Sequence, residues 1–173
     1  MTPLGHAGLG VVLAHVDRRL PLAAVVVGAV LPDIDFALVW APQFNAWHRV
    51  VTHNLVFVAA TSLVVGVLWS REHRAARWTY VLALALGGLS HLLVDACLDA
   101  NASNGIGVAI GWPFRDAMWS PFNLLDPAPG GPGWGDPTTA LLGALRGLAW
   151  ELPGIVLAAV LLWRRVRARR ARA

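Results

Sequence analysis

Five apolar segments limit what this chain can fold into. They fall at about residues 4–16, 20–40, 54–69, 78–99 and 138–163. A membrane-crossing helix needs about 20 apolar residues. The second, fourth and fifth segments reach that length, the third is slightly short, and the first is too short to cross alone. The first segment is therefore expected to be half-inserted or re-entrant, resting on its neighbours. Tryptophans stand at the segment ends (Trp40 and Trp47, Trp69 and Trp78, Trp112, Trp163), as in two interfacial belts. The expectation is an all-α integral membrane bundle of four to five short helices, a single membrane-embedded domain over residues 1–173.

Charge supports that reading. Charged residues make up 14% of the chain, against about 25% in a soluble domain. Every basic side chain is Arg, and eleven of the 14 fall in three clusters: Arg18 and Arg19; Arg71, Arg74 and Arg77; and Arg164 to Arg172. Long apolar runs separate the clusters, so the charge is topogenic and no nucleic-acid partner is expected. Placing all three clusters in the cytosol satisfies the positive-inside rule at every turn. The chain is then a multi-pass protein of the cytoplasmic (inner) membrane, with residues 164–173 as a basic cytosolic tail. Residues 100–137, with seven glycines and six prolines, lie outside. A loop of that length is either a functional lid or a mobile surface loop. Cys97 alone excludes an internal disulfide and a cysteine zinc site. No secretory signal peptide is expected, because the first apolar stretch lacks a basic n-region.

The polar residues inside this frame fall at one depth. At about 1.5 Å of rise per residue, His6, Asp33, His53, His91 and Asp95 all reach the outer half of a core about 30 Å thick. A carboxylate at the bilayer centre costs about 2.5–3.5 kcal/mol, so each needs a partner. Basic residues at that depth are few: Arg49 and Arg146. A metal ion neutralises carboxylates better, and carboxylate with imidazole suits zinc, manganese or iron.

Local spacing agrees. His91 and Asp95 sit at i and i+4 on one helical face, with Asp99 one turn further along the stripe. A hydrogen-bonded His–Asp pair that locks helix packing is the plain alternative. Pro32 disturbs its helix, which lets Asp33 and Asp35 both turn toward one centre; a capped helix end would look similar. His48 and His53 bracket Arg49 just outside the membrane. His15 lies near the cytosolic turn and His73 among Arg71, Glu72 and Arg74, where solvation is expected. Glu151, next to Pro153 in the fifth segment, pairs with Arg146 or supplies a further ligand.

Four motifs then follow in order: Gly28-Ala29-Val30-Leu31-Pro32-Asp33-Ile34-Asp35; His48-Arg49 with Thr52-His53; Ser90-His91-Leu92-Leu93-Val94-Asp95; and Gly111-Trp112-Pro113-Phe114. Together they resemble the YdjM-like family of bacterial inner-membrane proteins regarded as metal-dependent hydrolases, over about residues 6–115. The resemblance implies metal ligands at His6, Asp33, Asp35, His48, His53, His91 and Asp95. Asn54 stands where Ser is expected and Ala7 where Thr is expected. More loosely, the His/Asp set is similar to zinc-dependent phospholipase C, which implies a phosphoester substrate.

The functional expectation is a membrane-bound hydrolase using one or more divalent ions, zinc first and manganese or iron next. Water activated by the ion would attack a phospholipid or lipid-linked phosphate reached from the leaflet. Asp33 or Asp35 would bridge metals or act as general base, and Arg49 would steady the anion. The alternatives are an ion or metal transporter and a non-catalytic membrane protein stapled by the cluster. The stretches Val25-Val26-Val27 and Leu82-Ala83-Leu84-Ala85 argue against a through-path, since they offer no polar groups in the inner half.

Overall fold

The structure is a computed structural model that describes residues 1–71, 76–98, 106–122, 124 and 137–171. Among these residues it is all-helical, apart from an isolated antiparallel bridge between Val108 and Trp119. In chain order the helices are α1 (Pro3–Val16), α2 (Leu22–Val30), a 3-10 segment (Leu31–Leu38), a single turn α3 (Phe44–Trp47), α4 (Leu55–Trp69), α5 (Arg77–Cys97) and α6 (Pro137–Arg170).

Local chemistry sets the ends. Thr2 caps α1 by accepting from the Gly5 N–H at 3.2 Å, with Pro3 at the first helical position. Asn54 caps α4 by accepting from the Phe57 N–H at 2.8 Å, while its own amide donates to the Val50 and Val51 carbonyls at 2.9 and 2.8 Å. The departure at position 54 is thus a fully bonded N-cap, a role in which Asn and Ser are about equal. Pro32 cannot donate to the turn before it. The α-helix ends at Val30 and the chain tightens into the 3-10 segment. The second apolar segment is therefore two short helices, as the proline required. Pro153 acts differently: α6 runs through it for 34 residues.

Helix α5 is the centre of the bundle, packing on α2 and α4, while α1 packs between α2 and α6. The α2–α5 crossing brings backbone against backbone. A Cβ on Gly28 would overlap the Leu84 carbonyl, and one on Gly87 the Val25 carbonyl. Small residues at a crossing allow this close approach. The interior combines an apolar core (Ala24, Val25, Ala83, Leu84) with buried polar groups (His6, His91, Asp95), and the outer face carries Leu63, Val64, Leu82, Leu93, Val156 and Val160. Exposed apolar side chains of this number suit contact with lipid.

Among the described residues one helix, α5, is both long enough and apolar enough to cross a membrane; α1 and α4 are apolar but shorter. Its 21 residues span about 31 Å. The second apolar segment, expected to be long enough to cross, is divided at Pro32, and α4 is 15 residues long.

Candidate metal centre

Four elements deliver buried His and Asp side chains to one place. The 3-10 segment brings Asp33 and Asp35, with Ile34 between them facing outward. The stretch after α3 brings His48, Arg49, Thr52 and His53, α5 brings His91 and Asp95, and α1 brings His6. His6, His53 and His91 are wholly buried, and Asp95 is 1% exposed. His48 and Arg49, expected just outside the membrane, are also buried. The α3 turn folds them inward, where the His48 ring packs against both Phe36 and Phe44, each centroid 5.0 Å away.

Donor atoms converge in two groups, Asp33–His53–His91–Asp95 and Asp35–His48–His53, with His53 in both. In the first group, His53 Nε2 lies 3.1 Å from His91 Nε2, 3.5 Å from Asp33 Oδ1 and 3.6 Å from Asp95 Oδ2. His91 Nε2 lies 3.7 Å from Asp33 Oδ1 and 3.6 Å from Asp95 Oδ2. These separations are close to the edges of a tetrahedron. A tetrahedron with edges of about 3.5 Å has its centre about 2.1 Å from each corner, the Zn–N and Zn–O bond length.

Hydrogen bonds fix which nitrogens carry protons. His91 Nδ1 lies 2.7 Å from the Ala29 carbonyl. A carbonyl only accepts, so Nδ1 donates and Nε2 presents a lone pair. The single Thr52 hydroxyl proton goes to Asp35 Oδ2 at 3.1 Å. Toward His53 Nδ1, 3.0 Å away, Thr52 Oγ1 can then only accept, so His53 Nδ1 also donates. The two rings therefore turn their Nε2 atoms toward each other across 3.1 Å. Two lone pairs would repel at that distance; a proton or a metal cation between them makes the contact attractive. Asp33 adds a second demand, because neither of its buried carboxylate oxygens has a hydrogen-bond partner among the described residues. A buried carboxylate in that state carries a large desolvation penalty. One divalent ion meets both demands, and the donor set fits zinc, manganese or iron.

Around this core, Asp95 Oδ1 accepts from His6 Nε2 at 3.1 Å and from the Met1 amino group at 2.7 Å. The His6 and His91 rings stack at 3.6 Å. His48 Nδ1 donates to Asp35 Oδ2 at 3.0 Å, leaving Asp35 Oδ1 buried and without a hydrogen-bond partner among the described residues. Arg49 lies within Coulombic reach of Asp95 and has a φ of +67°. That left-handed backbone costs a non-glycine residue about 1–2 kcal/mol. The Arg49 carbonyl accepts from Ala109 N–H at 3.0 Å, and the Leu55 N–H donates to the Ile110 carbonyl at 3.1 Å. Residues 106–122 thus dock over the stretch that carries Arg49 and His53. Beside the centre, a crevice of about 250 Å³ is lined by Pro3, Val27, Val30, Leu31, Ile34 and Asp33.

A family model described as YdjM inner membrane protein matches residues 1–171. The chain belongs to the YdjM inner membrane protein family. No curated protein and no solved structure matches it. The family match runs beyond the ordered motifs, which end near residue 115, and takes in α6. Membership and the buried donor set together make this YdjM protein an inner-membrane family member with a possible metal site.

Set against the sequence, the YdjM chain brings Asp33, His53, His91 and Asp95 to one centre and Asp35 and His48 to its flank. His6 joins through Asp95 and stands in neither donor group. Glu151 is buried but takes no place in the cluster. It accepts from the Thr2 N–H at 2.6 Å and from the Thr2 hydroxyl, tying α6 to the start of α1. Arg146, the expected partner of Glu151, lies outside the described side chains; His73 and Asp99 lie outside the described residues. His15, set aside as remote, bonds only along its own helix, to the Val11 carbonyl. Thr52, present in the second motif without a role, and the Ala29 carbonyl both bond to histidines of the cluster. The signal for Thr52 was its place next to His53, while a backbone carbonyl leaves none.

Proposed function

We propose that this protein is a metal-dependent hydrolase of the inner membrane that acts on a phosphoester carried by a lipid. The observation that carries the reading is the convergence of His53 Nε2 and His91 Nε2, 3.1 Å apart, on the buried Asp33 carboxylate, which has no hydrogen-bond partner among the described residues, beside an apolar crevice. Asp33, His53, His91 and Asp95 would hold the ion, zinc first. Bound there, a divalent ion supplies Lewis acidity toward a phosphoryl oxygen and a lowered pKa for water.

The remaining steps fall to the chain's own groups. Arg49, held inward by its left-handed backbone, binds a phosphate oxygen through its planar fork. Asp35 Oδ1 takes the proton from the attacking water; Thr52 and His48 hold Asp35 through its other oxygen. The crevice lined by Val27, Val30, Leu31 and Ile34 takes the first part of an acyl or isoprenoid chain. Ile34 is 57% exposed, which supports a wall open to lipid. The segment docked over Arg49 and His53 acts as a lid. With several segments inserted and the arginine clusters in the cytosol, the site lies in the outer half of the bilayer and the C-terminus faces inward. A transporter would need polar groups continuing past this depth, and the Val25–Val27 stretch of α2 is apolar.

The test is elemental analysis of the detergent-purified protein together with turnover of a phospholipid and isoprenoid-phosphate panel, with and without chelator. The expected result is bound divalent metal and chelator-sensitive phosphate release that favours long-chain over water-soluble esters. Metal without any turnover would defeat the hydrolase reading, and absence of metal would defeat the whole proposal.

A further inference from the structure

The two donor groups share His53, so the geometry offers two readings of the seven implied ligands: two ions bridged by one imidazole, or one ion with supporting hydrogen bonds. A bridge requires His53 to give up both ring protons and present lone pairs on both sides. The Nδ1 side does not allow it. His53 Nδ1 faces Thr52 Oγ1 at 3.0 Å, and that hydroxyl has already given its proton to Asp35. Only an N–H on Nδ1 makes this contact attractive. Asp35 Oδ2, moreover, already accepts from both Thr52 and His48.

We infer that a single cation is held by His53 Nε2, His91 Nε2, Asp33 and Asp95, and that Thr52 is a positioning residue that keeps His53 in its ligating tautomer. The inference deepens the proposed function and rests on its metal site. His53 Nδ1–H donates to Thr52, and Thr52 donates to Asp35. This is a carboxylate–hydroxyl–imidazole chain of the kind that orients a ligating histidine. The Ala29 carbonyl does the same for His91, and His6 holds the far oxygen of Asp95. Asp35 and His48 thereby move from ligands to supports, and Asp35 Oδ1 stays available to a proton.

The experiment uses the full chain in detergent, loaded with Zn(II) or Co(II) and dialysed. The unaltered protein should retain one ion per chain and His48→Ala should still retain one, whereas His91→Ala should lose it. Thr52→Val keeps the shape but removes the hydroxyl, and should weaken metal binding by about 10–100-fold in chelator competition, the usual loss on removing such a partner. Thr52→Ser restores the hydroxyl and should restore affinity together with the four-coordinate Co(II) absorption. Two ions per chain, falling to one in His48→Ala, would overturn the single-ion assignment while leaving the proposed function standing. Equal affinity in Thr52→Val and the unaltered protein would remove Thr52 from the site. A protein that binds neither metal takes the proposed function down and this inference with it.

Discussion

Replacing Gly87 with Ala tests whether the α2–α5 crossing holds the centre together. A Cβ at that position would lie 2.6 Å from the Ala29 nitrogen and would overlap the Val25 carbonyl oxygen. Ordinary contact starts near 3.4 Å, so α2 must retreat by at least about 0.8 Å to clear the nitrogen and further to clear the carbonyl, since neither neighbour is a flexible side chain. The same stretch of α2 carries the Ala29 carbonyl that accepts from His91 at 2.7 Å. A retreat of that size stretches the bond to about 3.5 Å, beyond useful hydrogen-bonding range. The overpacking costs about 1–3 kcal/mol and the lost hydrogen bond about 0.5–1.5 kcal/mol. His91 then loses the partner that orients it, which weakens metal binding by about 10–100-fold. Gly154→Ala is the control, because nothing lies within 4 Å of that position. Chelator competition and thermal melting in detergent should show Gly87→Ala weakened in both and Gly154→Ala in neither. If Gly87→Ala binds metal and melts like Gly154→Ala, the crossing does not position His91.

Three further outcomes are expected. Asp33→Asn should insert normally but lose metal by orders of magnitude, because a ligating charge is gone, whereas Asp35→Asn should bind one ion about 10–100-fold more weakly and lose turnover; equal metal affinity in the two variants would contradict their division into ligand and support. Arg49→Lys should keep metal and lose affinity for a phospholipid substrate, since an ammonium lacks the planar fork; unchanged substrate affinity would take Arg49 out of the phosphate site. A reporter fused after Ala173 should read cytosolic and one inserted at 128–135 external, and the opposite result from both would move the site to the cytosolic leaflet.

Much of this molecule was legible in one dimension. Apolar runs interrupted by Arg clusters marked the helices, since lipid tolerates few charges and clusters them at segment ends. His91 and Asp95 were readable as neighbours from i, i+4 spacing alone, and both point into the cluster. Pro32 was readable as a break, and the helix changes type there. These are local facts, settled by covalent geometry and by the solvent around each segment.

What the sequence could not settle depends on contacts between distant residues. Glu151 bonds Thr2, 149 residues away, a contact that no local spacing announces, because α6 packs on α1. The burial of His48 against Phe36 and Phe44 likewise depends on the α3 turn, which brings the three rings together. The family resemblance implied seven His and Asp ligands without dividing ligands from supports, since composition carries no information about which ring nitrogen faces which oxygen. That choice belongs to the tertiary structure. Hydrogen-bond direction depends on separations of about 3 Å, and only the close packing of α2 on α5, with residues 48–53 folded against them, brings Thr52, Asp35 and the Ala29 carbonyl to those distances.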